Sequence, residues 1–73
     1  MTVPQIRAAL VALGEQPRTA RELADVAHVD PDRLRKCLHW LRRRGGLRYA
    51  GQVWRLATRD VDAVVADWRA RCA

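Results

Sequence analysis

Arginine dominates the chemistry available to this chain of 73 residues: of its 14 basic side chains all but Lys36 are arginines. Between residues 30 and 48 stand Arg33, Arg35, Lys36, Arg42, Arg43, Arg44 and Arg48 against Asp30 and Asp32, and most of the net charge of +6 resides there. Residues 1–29 are neutral, with Arg7, Arg18 and Arg21 set against Glu15, Glu22 and Asp25. No acid occurs between Arg33 and Leu56. A merely solvated surface mixes both signs, so a surplus confined to one segment marks a face for a polyanion. The guanidinium group suits that task, because its planar fork of donors grips a phosphate or a guanine edge through two parallel bonds. A genome rich in G and C would also favour arginine through codon usage.

Other chemistries lack their parts. The chain has no serine, no glycine-rich phosphate loop, no nucleophile beside a base and no acidic pair set in an apolar pocket, so catalysis is not expected. Cys37, Cys72, His28 and His39 show neither C-x-x-C nor H-x-x-x-H spacing, and no metal or cofactor is expected. Both thiols are expected to stay reduced. No run of about 18 apolar residues exists, and the N-terminus lacks a secretory pattern, which together predict a soluble cytoplasmic protein, nucleoid-associated if bacterial. A chain this short holds one small core, and an enclosed ligand cavity would remove much of it. A surface function is therefore expected, without a small-molecule ligand.

The elements that must position the cations follow from caps and periodicity. Thr2 and Gln5 form a capping box ahead of Val3 to Leu13, where Val3, Ile6, Ala9, Leu10 and Leu13 recur at helical spacing and Gly14 supplies a left-handed stop. Pro17 marks a loop, after which Thr19 and Glu22 repeat the box before Ala20 to Ala27. Asp30 caps a third helix that starts at Pro31, runs to about Arg44 and ends at Gly45-Gly46. At about 100° per residue, Leu34, Cys37, Leu38 and Leu41 share one face of it. Asp32, Arg35, Lys36, His39 and Arg43 surround the opposite face, with Arg33, Trp40 and Arg44 on one flank and Arg42 on the other. Leu47-Arg48-Tyr49 and Gln52 to Leu56 flank Ala50-Gly51 as a hairpin, with either Val53 or Trp54 facing inward. Thr58 or Asp60 then caps a last helix whose stripe of Val61, Val64, Val65, Trp68 and Cys72 must be buried. It either covers the first helix or pairs with its copy in a homodimer. The expected fold class is mainly α with a small β-hairpin: residues 1–57 as a three-helix core with a two-stranded wing, and residues 58–73 as a C-terminal amphipathic helix of the same domain.

From Thr19 to Leu56 the segment TARELADVAHVDPDRLRKCLHWLRRRGGLRYAGQVWRL resembles the winged helix-turn-helix core of bacterial and phage transcriptional regulators of the multiple-antibiotic-resistance and arsenic-resistance types. About half the chain carries this likeness, through the capped helices with their Leu-Ala and Leu-x-x-Leu steps and the Gly before the hairpin. The resemblance implies double-stranded DNA as partner, with the third helix in the major groove and the hairpin beside it. Asp32, Arg33, Arg35, Lys36 and His39 occupy the matching positions. Arg35 is the expected base reader, and Arg33, Lys36, Arg42 and Arg43 the expected phosphate contacts. Arg48, Tyr49 and Gln52 are expected near the wing tip. The end of the hairpin, QVWRL, also looks like that of winged domains that bind Z-form nucleic acid. The match is partial: Gly51-Gln52 stands for their paired prolines, Arg35 for an asparagine and His39 for a tyrosine. A protein-interaction module, such as a small phage inhibitor that meets an acidic partner through the same basic face, is the alternative of a different class.

Overall fold

A computed structural model describes residues 1–72 of the chain, with side chains through Arg71. Four helices and one hairpin follow in the order α1 (Val3–Glu15), α2 (Ala20–Ala27), α3 (Pro31–Arg43), β1 (Leu47–Ala50), β2 (Val53–Leu56) and α4 (Val61–Cys72). The architecture is mainly helical with a two-stranded antiparallel hairpin.

Each helix begins at the cap its sequence provides. The backbone N–H of Gln5 donates to Thr2 Oγ1 at 3.3 Å, and that of Thr2 donates to Gln5 Oε1 at 2.8 Å. Thr19 and Glu22 repeat this reciprocal pair at 3.2 and 3.0 Å. The Thr19 backbone N–H, and then its hydroxyl, hold the Glu22 carboxyl below the usual carboxylate range. Asp30 caps α3 by accepting from the Arg33 N–H at 3.0 Å, and Asp60 caps α4 by accepting from the Ala63 N–H at 3.0 Å.

The stops are less uniform. Gly14 was expected to end α1, yet the helix continues through it to Glu15, and Gln16 leaves with φ −165° and ψ 160°. Steric clash with a proline ring disfavours the α region for the residue before it, and Gln16 is extended accordingly, so the helix ends ahead of Pro17 rather than at Gly14. α2 ends on His28 in the left-handed conformation at φ 57°. α3 ends one residue before Arg44, which is its C-cap, and Gly45 takes φ +88°. There the Gly46 N–H donates to Leu41 O at 3.1 Å and the Gly45 N–H to Arg42 O at 3.0 Å. This six-to-one and five-to-two pairing satisfies the last carbonyls and needs a glycine at the left-handed position.

The core draws on every helix and both strands. Ile6, Leu10, Leu23, Leu34, Leu38 and Leu41 are fully buried, with Trp54, Val64, Val65 and Trp68 packed among them, and no buried residue among those described is polar or charged. α1 packs on α2, α4 and β2, while α3 packs on α2, α4 and β1. α4 closes tightly over the turn after α3: a Cβ at Gly46 would lie 3.2 Å from Val64 Cγ2. Arg7 on α1 also pairs with Asp62 on α4.

Hairpin register settles which strand residue faces inward. Ala50 pairs with Val53, so the loop is Gly51-Gln52, at φ 58° and 66°, a left-handed pair whose twist matches that of the strands. The turn lies one residue later than expected and takes Gln52 out of the strand. Tyr49 is thereby set opposite Trp54, and Leu47 opposite Leu56. Trp54 is 1% exposed, and Val53 is only half-buried. Backbone N–H groups and carbonyls of Arg18 and Trp54 exchange two hydrogen bonds, at 2.7 and 3.2 Å, so the loop between α1 and α2 is tied to β2.

Candidate nucleic-acid interface

α3 divides sharply around its axis. Leu34, Leu38 and Leu41 are fully buried, and half-buried Cys37 packs beside them. Asp32, Arg33, Arg35, Lys36, Arg42 and Arg43 are all exposed, while His39 is half-buried. The apolar stripe is spent on the core, and the cations are left on the solvent side with their full reach. Because helical side chains three and four apart are neighbours, Asp32, Lys36, His39 and Arg43 form a row along the outward ridge, with Arg35 beside it.

Rings join this ridge to the hairpin. His39 lies edge-on to Trp54, with centroids 4.8 Å apart, and 5.7 Å from the ring of Tyr49. Tyr49 and Trp54 are themselves 4.5 Å apart, and the Arg42 guanidinium sits 5.9 Å from the Tyr49 ring centre. Contacts of this kind contribute roughly 0.5–1.5 kcal/mol each beyond burial, so α3 and the hairpin are held in fixed relation. Tyr49 was expected near the wing tip; it leans on α3 instead, because its cross-strand partner is the buried Trp54 and both side chains leave the same face of the hairpin. Gln52 does occupy the tip. Arg48 leaves the opposite face, across from Arg55, and is not gathered with the α3 cations.

Between α2, α3 and the hairpin lies a notch lined by Thr19, Arg21, Arg35, His39, Tyr49 and Gln52. Arg21 was missed in the sequence, where Glu22 and Asp25 neutralise its segment. No local signal marked it, because only the packing of α2 with α3 and the hairpin brings Arg21 to this notch. On the other side of α3, Arg33, Lys36 and Arg43 rim an open groove with Trp40, Trp68 and Arg71.

Arg44 is drawn away from this surface. Its guanidinium lies 5.6 Å from the Trp40 ring centre and 3.7 Å from Asp67 of α4. Arg35 pairs within the ridge: its Nη1 donates to Asp32 Oδ1 at 3.0 Å.

The α4 stripe, expected either to cover the first helix or to pair with its copy, is buried against its own chain. Val64, Val65 and Trp68 are at most 6% exposed within the single chain, and Val61 is half-buried. Amphipathic periodicity demands burial without naming the partner, and here α1 and α3 supply it. The side chain of Cys72, the last member of the stripe, lies outside the described residues.

Among the described residues, no group of three or more His, Cys, Asp or Glu could hold a metal ion, and no helix is long and apolar enough to cross a membrane. The chain matches no protein family, no curated protein and no solved structure.

Proposed function

We propose that this chain is a winged helix-turn-helix domain that binds double-stranded DNA, with α3 in the major groove and the β1–β2 hairpin as the wing. The observation that carries this reading is the solvent side of α3, where exposed Arg35, Lys36 and Arg43 stand opposite fully buried leucines and exposed Arg33 and Arg42 flank them, with Asp32 as the one acid. A helix with its side chains is about 10–12 Å across and the major groove about 12 Å wide, so such a face fits into it. Arg35 reads a base edge from the early part of the helix, with Asp32 and His39 beside it. Arg33, Lys36, Arg42 and Arg43 meet phosphates on either side. The fixed hairpin brings Gln52, and with it Tyr49, toward the neighbouring backbone, and Arg21 joins them across the notch.

The protein acts in this reading as a small bacterial or phage transcriptional regulator, by occupying its site. Two copies on a palindromic site would meet through a surface other than the α4 stripe, which each chain buries within itself.

Fluorescence anisotropy with a labelled random duplex pool tests the reading directly, because each neutralised phosphate contributes about −0.9 to the slope of log affinity against log salt. Four phosphate contacts predict a slope of about −3.6, a loss of about 150-fold between roughly 50 and 200 mM salt. Absence of duplex binding at the lower salt would refute it.

The groove beside α3 favours a second reading, in which the partner is an acidic protein segment with an apolar anchor. Trp40 and Trp68 line that groove under the cations, and the Trp68 Nε1 is buried without a hydrogen-bond partner among the described residues. Such a complex would depend more on Trp40 than on salt.

A further inference from the structure

Asp32 is the only acid in α3, and a carboxylate on a face that meets phosphate is repelled by it. Its position answers that objection. The bond from Arg35 Nη1 to Asp32 Oδ1 is 3.0 Å long, yet the two side chains remain 55% and 77% exposed, so both can touch a ligand while joined. The second carboxylate oxygen of Asp32 accepts no hydrogen bond among the described residues. A guanidinium carries five donors, and the bond to Asp32 orients the group while leaving others free.

We infer that Asp32 and Arg35 act as one unit that reads two adjacent base pairs, guanine under Arg35 and cytosine under Asp32. The inference rests on the DNA-binding reading above. Guanine presents two acceptors to the major groove, O6 and N7, which match the free donors of Arg35; cytosine presents the N4 amino donor, which matches the free oxygen of Asp32. Three residues of helix advance about 4.5 Å, close to the roughly 3.4 Å step between base pairs, so the two groups reach neighbours. Asp32 is a specificity-determining residue in two ways, as a reader of cytosine and as a positioning residue for Arg35.

The test is selection from a random duplex pool by the wild-type protein and by Arg35→Ala, Asp32→Asn and Asp32→Ala, with affinity for random duplex measured beside it. Arg35→Ala should erase the guanine preference, a loss of about 5- to 150-fold in discrimination. Asp32→Asn should turn the neighbouring preference from cytosine toward adenine, whose N6 and N7 a carboxamide pairs with. Asp32→Ala should erase that preference and weaken discrimination at the guanine by about 2- to 5-fold, as expected for loss of an exposed ion pair. Thermal melts followed by circular dichroism for the wild type and both Asp32 variants separate lost specificity from lost folding. Identical motifs from the wild type and both Asp32 variants would overturn the inference. Wild-type protein that binds duplex but enriches no motif would overturn it and leave DNA binding standing, whereas failure to bind any duplex would remove both.

Discussion

Arg43→Ala and Arg44→Ala remove the same charge one residue apart, yet they are expected to affect DNA binding differently. Arg43 is exposed in the last turn of α3 and rims the groove with Arg33 and Lys36, without an ion pair among the described residues. Arg44 is turned toward α4, 3.7 Å from Asp67 and 5.6 Å from the Trp40 ring centre. If Arg43 neutralises one phosphate, its loss should reduce the salt slope by about 0.9, making binding about 3.5-fold less sensitive between roughly 50 and 200 mM salt. Arg44→Ala should leave the slope at the wild-type value. Anisotropy titrations at four or more salt concentrations measure both slopes on the same duplex. An equal drop in the two variants would refute the diversion of Arg44 to α4. No drop in either would refute a phosphate contact by Arg43.

Trp54→Ala should destabilise the fold by about 3–5 kcal/mol, seen in denaturant unfolding, because the residue is 1% exposed and its ring holds His39 and Tyr49 together. Retention of wild-type stability would contradict its place in the core. Val65→Asp should unfold the monomer rather than dissociate a dimer, since it sets an unpaired carboxylate at a position 3% exposed; circular dichroism with size-exclusion chromatography distinguishes the two. The capping box sets a pH dependence at Glu22, whose folded pKa is depressed. Its contribution is therefore present above the ordinary carboxylate pKa and is lost as pH falls through the lowered value. Thermal melts of Glu22→Gln, which keeps the accepting oxygen without the charge, should lose less stability in acid than the wild type does, and parallel curves would contradict the assignment.

Much of this protein was legible in its sequence because the information is local. Thr2 with Gln5, Thr19 with Glu22, and Asp30 before Pro31 each satisfy free N–H groups within one turn, so the helix starts follow from residues at most three positions apart. The leucine spacing in α3 likewise determines that its cations face outward, since burial of Leu34, Leu38 and Leu41 leaves no other orientation. Gly14 shows how a local signal misleads: glycine permits a stop without requiring one, whereas Pro17 pushes Gln16 out of the helical conformation, and the helix ends there.

Tertiary structure decided what depends on partners distant in the chain. The choice of Trp54 over Val53 turned on a one-residue setting of the hairpin loop, which moves every strand side chain to the other face. The same register carried Tyr49 onto His39 and set Arg48 apart from the α3 cations. Arg44 was separated from Arg43 by Asp67, more than 20 residues further along the chain. Arg21 entered the notch only when α2 met α3 and the hairpin. By itself, then, the sequence determined the helix starts, the basic face and its direction, because caps and periodicity act within a few residues. Which cations share that face, and what the α4 stripe covers, were decided by packing between elements, which no local pattern encodes.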